Sequence, residues 1–115
     1  MGVWEPILGV GKERGQMPKY VVLMKMTDQG SKDFRNAPER IENGTKLLEK
    51  LGGKVIGFYL VMGEYDYVGI GECPSDEVAT AFAMALSSGG NVKTTTLKAF
   101  SKEQIPGIIK LLPKS

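Results

Sequence analysis

The chain contains no histidine, one cysteine and one tryptophan among its 115 residues. Without histidine there is no Ser-His-Asp or Cys-His nucleophile system and no imidazole-bound zinc or haem. The usual proton shuttle near neutral pH is missing too. Any catalysis falls to tyrosine, carboxylates, lysine, Cys73 or a bound cofactor. A single cysteine excludes an internal disulfide and fits a reducing compartment. No apolar run approaches the roughly 20 residues of a membrane span. The N-terminus lacks the charged stretch and apolar core of an export signal. These absences predict a cytoplasmic protein with no membrane partner. An excess of one charge is also lacking: 15 Lys and Arg stand against 13 Asp and Glu. No basic block or basic-aromatic interleaving points to nucleic acid. Glu64, Asp66 and Glu72 do not form a recognised metal spacing, so neither a metal nor a cofactor is expected.

What is present suits one domain: the length is ordinary for one, and 42% of the residues are hydrophobic. Residues 1–16, MGVWEPILGVGKERGQ, show no helical or strand period and read as a flexible tail. Gly9, Gly11 and Gly15 have the wrong spacing for a dinucleotide fingerprint, and no Lys-Ser/Thr follows as in a P-loop. A single domain is expected over 17–115. Lys19 to Thr27, KYVVLMKMT, alternates as a strand with both faces largely apolar. DQGS breaks it. A helix follows, with Asn36 and Glu39 spaced as a capping box and Pro38 in the first turn. Ile41, Thr45, Leu48 and Leu51 form its buried stripe. Gly52-Gly53 ends it.

Lys54 to Met62 is the second strand and Asp66 to Glu72 the third, joined by a short hairpin through GEY. Ser75 caps a second helix, VATAFAMAL, apolar nearly all round and therefore expected to be well buried. Asn91 to Phe100 is the fourth strand. A short terminal helix over about 102–112 is broken near Pro106-Gly107. The order β-α-β-β-α-β is the ferredoxin-like plan: α+β, with two helices on one face of a four-stranded antiparallel sheet. Strands 1 and 2 are apolar on both faces, which leaves one sheet face uncovered and predicts a homodimer packed sheet on sheet, with the C-terminal helix covering part of the face as the alternative.

The hairpin places Tyr67, Gly69 and Gly71 on one face with Ile56, Phe58, Leu60 and Met62. Either an aromatic covers the glycines, or the glycines leave a depression for a ligand.

The ordered set MPKYVVL (17–23), TDQG (27–30), GFY (57–59), MGEYD (62–66) and GNV (90–92) with Thr94 and Thr96 resembles the GYD-domain proteins. That family takes its name from the glycine, tyrosine and aspartate found here as Gly63, Tyr65 and Asp66. The resemblance covers about residues 17–102. It implies a ferredoxin-like domain of the dimeric α/β-barrel type, and it implies little about function. Relatives in the wider barrel group include cofactor-free monooxygenases, haem-degrading enzymes and ligand-sensing domains, among which fold does not choose.

The candidate ligand-binding residues are Tyr59, Tyr65, Asp66, Tyr67, Thr94 and Thr96. In one reading Asp66 is a base or anchor and the tyrosines donate hydroxyls to a small polar or aromatic ligand. In the other, Gly63 supplies the turn, Asp66 bonds backbone amides, and the tyrosines pack against sheet or partner. Thr94 and Thr96 line a cavity or a solvated edge. Cys73 reads as structural. The expected function is a small homodimeric binding or interaction protein, with a small-molecule pocket between sheet and helices. The alternative is an enzyme resembling the cofactor-independent oxygenases, in which a tyrosine and an acid converge on a closed cavity.

Overall fold

The structure is a computed structural model that describes residues 17–114. The reading of 1–16 as a tail lies outside the described residues. The elements are β1 (Lys19–Met26), α1 (Asp28–Lys32), a 3₁₀ turn (Phe34–Asn36), α2 (Ala37–Lys50), β2 (Lys54–Leu60), β3 (Tyr67–Glu72), α3 (Asp76–Ser88) and β4 (Val92–Ala99), then a second 3₁₀ turn (Lys102–Gln104) and α4 (Ile105–Ile109). The sheet runs β2-β3-β1-β4, antiparallel throughout. This is the ferredoxin-like order, with β2 at one edge and β4 at the other.

The pairing sorts the side chains onto two faces. Tyr20, Val22 and Met24 lie opposite Gly71, Gly69 and Tyr67 on one side and Lys98, Thr96 and Thr94 on the other. These residues share one face because side chains alternate along a strand. Both long helices cover it: Leu48 of α2 and Ala79 of α3 join Tyr20 and Cys73 in the buried core, with Val55, Val78 and Phe82 against them. Val21, Leu23, Val68, Ile70 and Leu97 lie on the opposite face. No described helix packs broadly there; the main neighbour of α4 is the 3₁₀ turn before it.

Two stretches singled out in the sequence meet at one end of the sheet. Thr27 caps α1 by accepting from Gly30 N–H at 3.1 Å, and its hydroxyl donates to Gly90 C=O at 2.6 Å. Gln29 Nε2 donates to Gly89 C=O at 3.2 Å and Asn91 Oδ1 at 3.1 Å. A Cβ at Gly30 would stand 2.2 Å from Asn91 O, so only glycine permits this approach. TDQG and GGN thus clasp the end of β1 to the start of β4.

Several local expectations change. DQGS is not a plain break but the start of α1. Asn36 holds the N-cap position of α2 without capping it; its amide donates instead to Asp33 Oδ1 at 2.6 Å. Of the predicted stripe only Leu48 is fully buried, while Ile41, Thr45 and Leu51 are half-buried. Ser75 does cap α3, accepting from Val78 N–H at 3.2 Å. That helix is not well buried: Ala79 is its one buried residue, and Met84 is 67% exposed. A helix with one sheet face and one neighbour has only one side to bury, whatever its composition. Pro106 sits in the first turn of α4, where its missing N–H costs nothing, and does not interrupt the helix.

Candidate functional site

A cavity of about 340 Å³ opens between the sheet and the two long helices. Val22, Met24, Phe58, Gly69 and Gly71 form its floor, and Ile41, Leu48, Phe82 and Leu86 its walls. The helices approach each other only sparsely, so the space between them is left to the sheet residues beneath. The size lies within the range of small-molecule sites.

The floor is uneven because large residues stand beside glycines. Leu60 lies opposite Tyr67 and Phe58 opposite Gly69, as the alternation predicts. A bulge at Ile56 then shifts the register, so Val55 rather than Ile56 faces Gly71. A Cβ on Gly69 would meet Phe58 Cδ2 at 3.5 Å and Met24 Cε at 3.4 Å. Phe58 therefore covers that glycine in part, and both glycines still line the cavity. Phe58 and Tyr67 pack with ring centroids 5.4 Å apart.

The structure separates the six predicted site residues. Tyr67 and Thr96 line the cavity. Tyr67 is buried, and its hydroxyl lies 3.9 Å from Met26 Sδ. Thr94 shares their face but pairs with Ser87 Oγ at 3.4 Å. Tyr59 lies on the opposite face, 56% exposed, against Gly57. Tyr65 is half-buried in the hairpin. Asp66 does not line the cavity: its Oδ2 accepts from Met26 N–H at 2.8 Å, and its own N–H donates to Met24 C=O at 2.9 Å. It fastens the hairpin to β1. The hairpin link runs over residues 61–66, longer than GEY, and is closed by Val61 N–H donating to Asp66 C=O at 2.8 Å. Gly63 takes φ +109°, the left-handed turn position.

Sequence reasoning missed a polar cluster at the other end of the covered face. The buried Tyr20 hydroxyl donates a short hydrogen bond to Asp76 Oδ1, and Lys98 Nζ reaches the same oxygen at 3.0 Å. Burial, and then the bond to Asp76, push the Tyr20 hydroxyl well above its ordinary value of 10.0. The bonds from Tyr20 and Lys98 hold the Asp76 carboxyl below its usual range. Cys73 lies buried beside them, its thiol pushed up by burial. The available signal was a tyrosine in the apolar alternation of β1, since a buried hydroxyl needs a partner. Among the described residues no group of three or more Cys, Asp or Glu is placed to hold a metal ion.

Fold and cavity together define an α+β split βαβ domain with an apolar pocket and one open sheet face. The GYD domain profile matches residues 20–109, and the chain belongs to the GYD family. A Thermus thermophilus protein named glutamine synthetase and cystathionine beta-lyase binding protein is 37% identical over 84 residues, 72% of this chain and 88% of its own length. Among solved structures, the leucine response regulatory protein of Mycobacterium tuberculosis superposes with a TM-score of 0.59 at 22% identity, covering 79% of this chain and 56% of that one. LrpC of B. subtilis gives 0.52 at 17% identity, covering 89% and 59%. The chain spans little more than half the length of these regulators, and the likeness shows the fold. No helix of the described residues is long and apolar enough to cross a membrane.

Proposed function

We propose that the chain is a small interaction protein that pairs with a second copy through its open sheet face and, as a pair, docks on an enzyme of amino-acid metabolism. The carrying observation is the uncharged centre of that face. Val21, Leu23, Val68, Ile70 and Leu97 form it, and Leu97 is 46% exposed. Monomers seldom leave a contiguous apolar patch above a few hundred Å² in water. Four strands at ~4.8 Å spacing and about six residues at ~3.3 Å each give roughly 400 Å² in projection. Side-chain relief raises the accessible area above that projection, toward the roughly 800 Å² each partner gives a standard interface. A twofold pairing is self-complementary, so a second copy suffices.

The name of the T. thermophilus relative, 37% identical, supports an enzyme as the further partner. The oxygenase-like alternative needs an acid and a tyrosine on one cavity; Tyr67 lines it and Asp66 is engaged by a backbone amide. The test is co-sedimentation of the purified chain with glutamine synthetase from its own organism. A joint boundary that is lost with Ile70→Lys is the expected result. A chain that sediments as a single copy overturns the pairing, and a paired chain that leaves the enzyme's boundary unchanged overturns the docking.

A further inference from the structure

The interaction reading makes no use of the cavity, nor of what lies at its outer end. Ala37, Ile41, Phe58 and Tyr67 line both the cavity and a groove that continues from it to Phe34, Arg35 and Leu60. The two spaces therefore share these walls, and together they run from between the helices to the hairpin end of the sheet. Apolar side chains dominate the whole length.

Charge on this path is accounted for except at one place. Arg40, on the cavity wall, donates to Asp33 C=O at 2.9 Å and Asp33 Oδ2 at 3.1 Å. Arg35, at the outer end, makes no ion pair among the described residues. Its guanidinium sits 5.5 Å over the exposed Phe34 ring. An apolar trough that ends beside an unpaired guanidinium is complementary to a molecule with an apolar tail and an anionic head. Arginine in particular takes a carboxylate through two parallel hydrogen bonds.

We propose that this trough binds a free medium-chain fatty acid, with the alkyl tail between sheet and helices over Gly69 and the carboxylate at Arg35. Gly69 gives the tail its room: an added Cβ there is tolerated, at 3.4 Å from Met24 Cε, but a longer side chain occupies the tail's path, whereas Leu48 already covers Gly71. The tail supplies the affinity by leaving water, and the head sets the orientation.

The test is isothermal titration of the full chain with dodecanoate below its micelle concentration, alongside decanoate, octanoate and dodecanol. Saturable binding is expected, weakening by about fourfold for each CH₂ removed. Dodecanol and the Arg35→Glu variant are each expected to bind at least tenfold more weakly. Gly69→Leu is expected to abolish binding. Should Gly69→Leu fail to fold, Arg35→Glu carries the test alone, because Arg35 is on an exposed turn outside the core. No binding of dodecanoate, an affinity independent of chain length, or equal affinity in Arg35→Glu overturns the proposal. So does binding confined to phosphatidylglycerol vesicles with none of the free acid.

Discussion

Along β1, Tyr20, Val22 and Met24 turn toward the helices while Val21 and Leu23 turn away. The two sets are equally apolar, yet the faces they build differ in relief. On the covered face Phe58 and Tyr67 stand beside Gly69 and Gly71, so the surface is uneven and a cavity remains under the helices. On the open face β-branched residues and leucines dominate the centre. Its one interior glycine there, Gly57, is covered by Tyr59, whose ring lies 3.1 Å from where a Cβ would be. That face is even, as a sheet-to-sheet contact requires. An uneven face suits a small ligand, and an even one suits another sheet. Alternation alone does not distinguish them; the positions of the glycines do.

The sharpest break in this comparison should come from the covered face. Leu48 is 3% exposed and packs against Tyr20 and Gly71. Leu48→Ala is expected to destabilise the chain by about 3 kcal/mol in urea unfolding, since a cavity is left that the helix cannot close. On the open face Ile70→Lys should leave the fold nearly unchanged but weaken self-association by about 30-fold or more, measured by sedimentation at graded concentrations.

Asp66 joins the two faces' common frame, and its role separates by substitution. Asp66→Ala orphans Met26 N–H and is expected to cost about 2 kcal/mol. Asp66→Asn keeps an acceptor and should cost less than half of that. Equal losses from the two variants would point to the charge rather than the hydrogen bond.

The smallest expected effect is Tyr20→Phe, about 1 kcal/mol at neutral pH, because Lys98 still neutralises Asp76. Its pH signature is more telling than its size. The Tyr20 pKa is raised in the folded chain, so its contribution is complete below pH 10.0 and declines as pH rises beyond it. The Asp76 pKa is lowered from 3.8, so its contribution is present above that value and declines as pH falls below it. Tyr20→Phe should flatten the alkaline decline and reduce the acid one; a variant with the wild-type profile at both ends would contradict the cluster's role.

Much of the fold was legible because local signals agreed with the global one. Alternation located all four strands, Ser75 and the Gly-Gly pairs bounded the helices, and the order of elements fixed the topology. What was not legible depends on contacts distant in sequence. Asn36 lost its capping role to a side-chain bond with Asp33, a competition invisible in a capping-box pattern. The bulge at Ile56 follows from pairing with β3, not from the sequence of β2. Tyr20 and Asp76 are 56 positions apart, and no spacing rule links them. For the site, the tyrosine-rich hairpin and the threonines of β4 drew attention to six residues, of which two, Tyr67 and Thr96, line the cavity; the trough with Arg35 at its end exists only because a turn, a helix and a hairpin meet in space.

The claim that the open face is an interface between two copies rests most directly on the mass of the purified chain in solution. Sedimentation equilibrium at micromolar concentration should return twice 12.5 kDa for the wild type and a shift toward the single-chain mass for Ile70→Lys. A wild-type mass of 12.5 kDa across that range would contradict it.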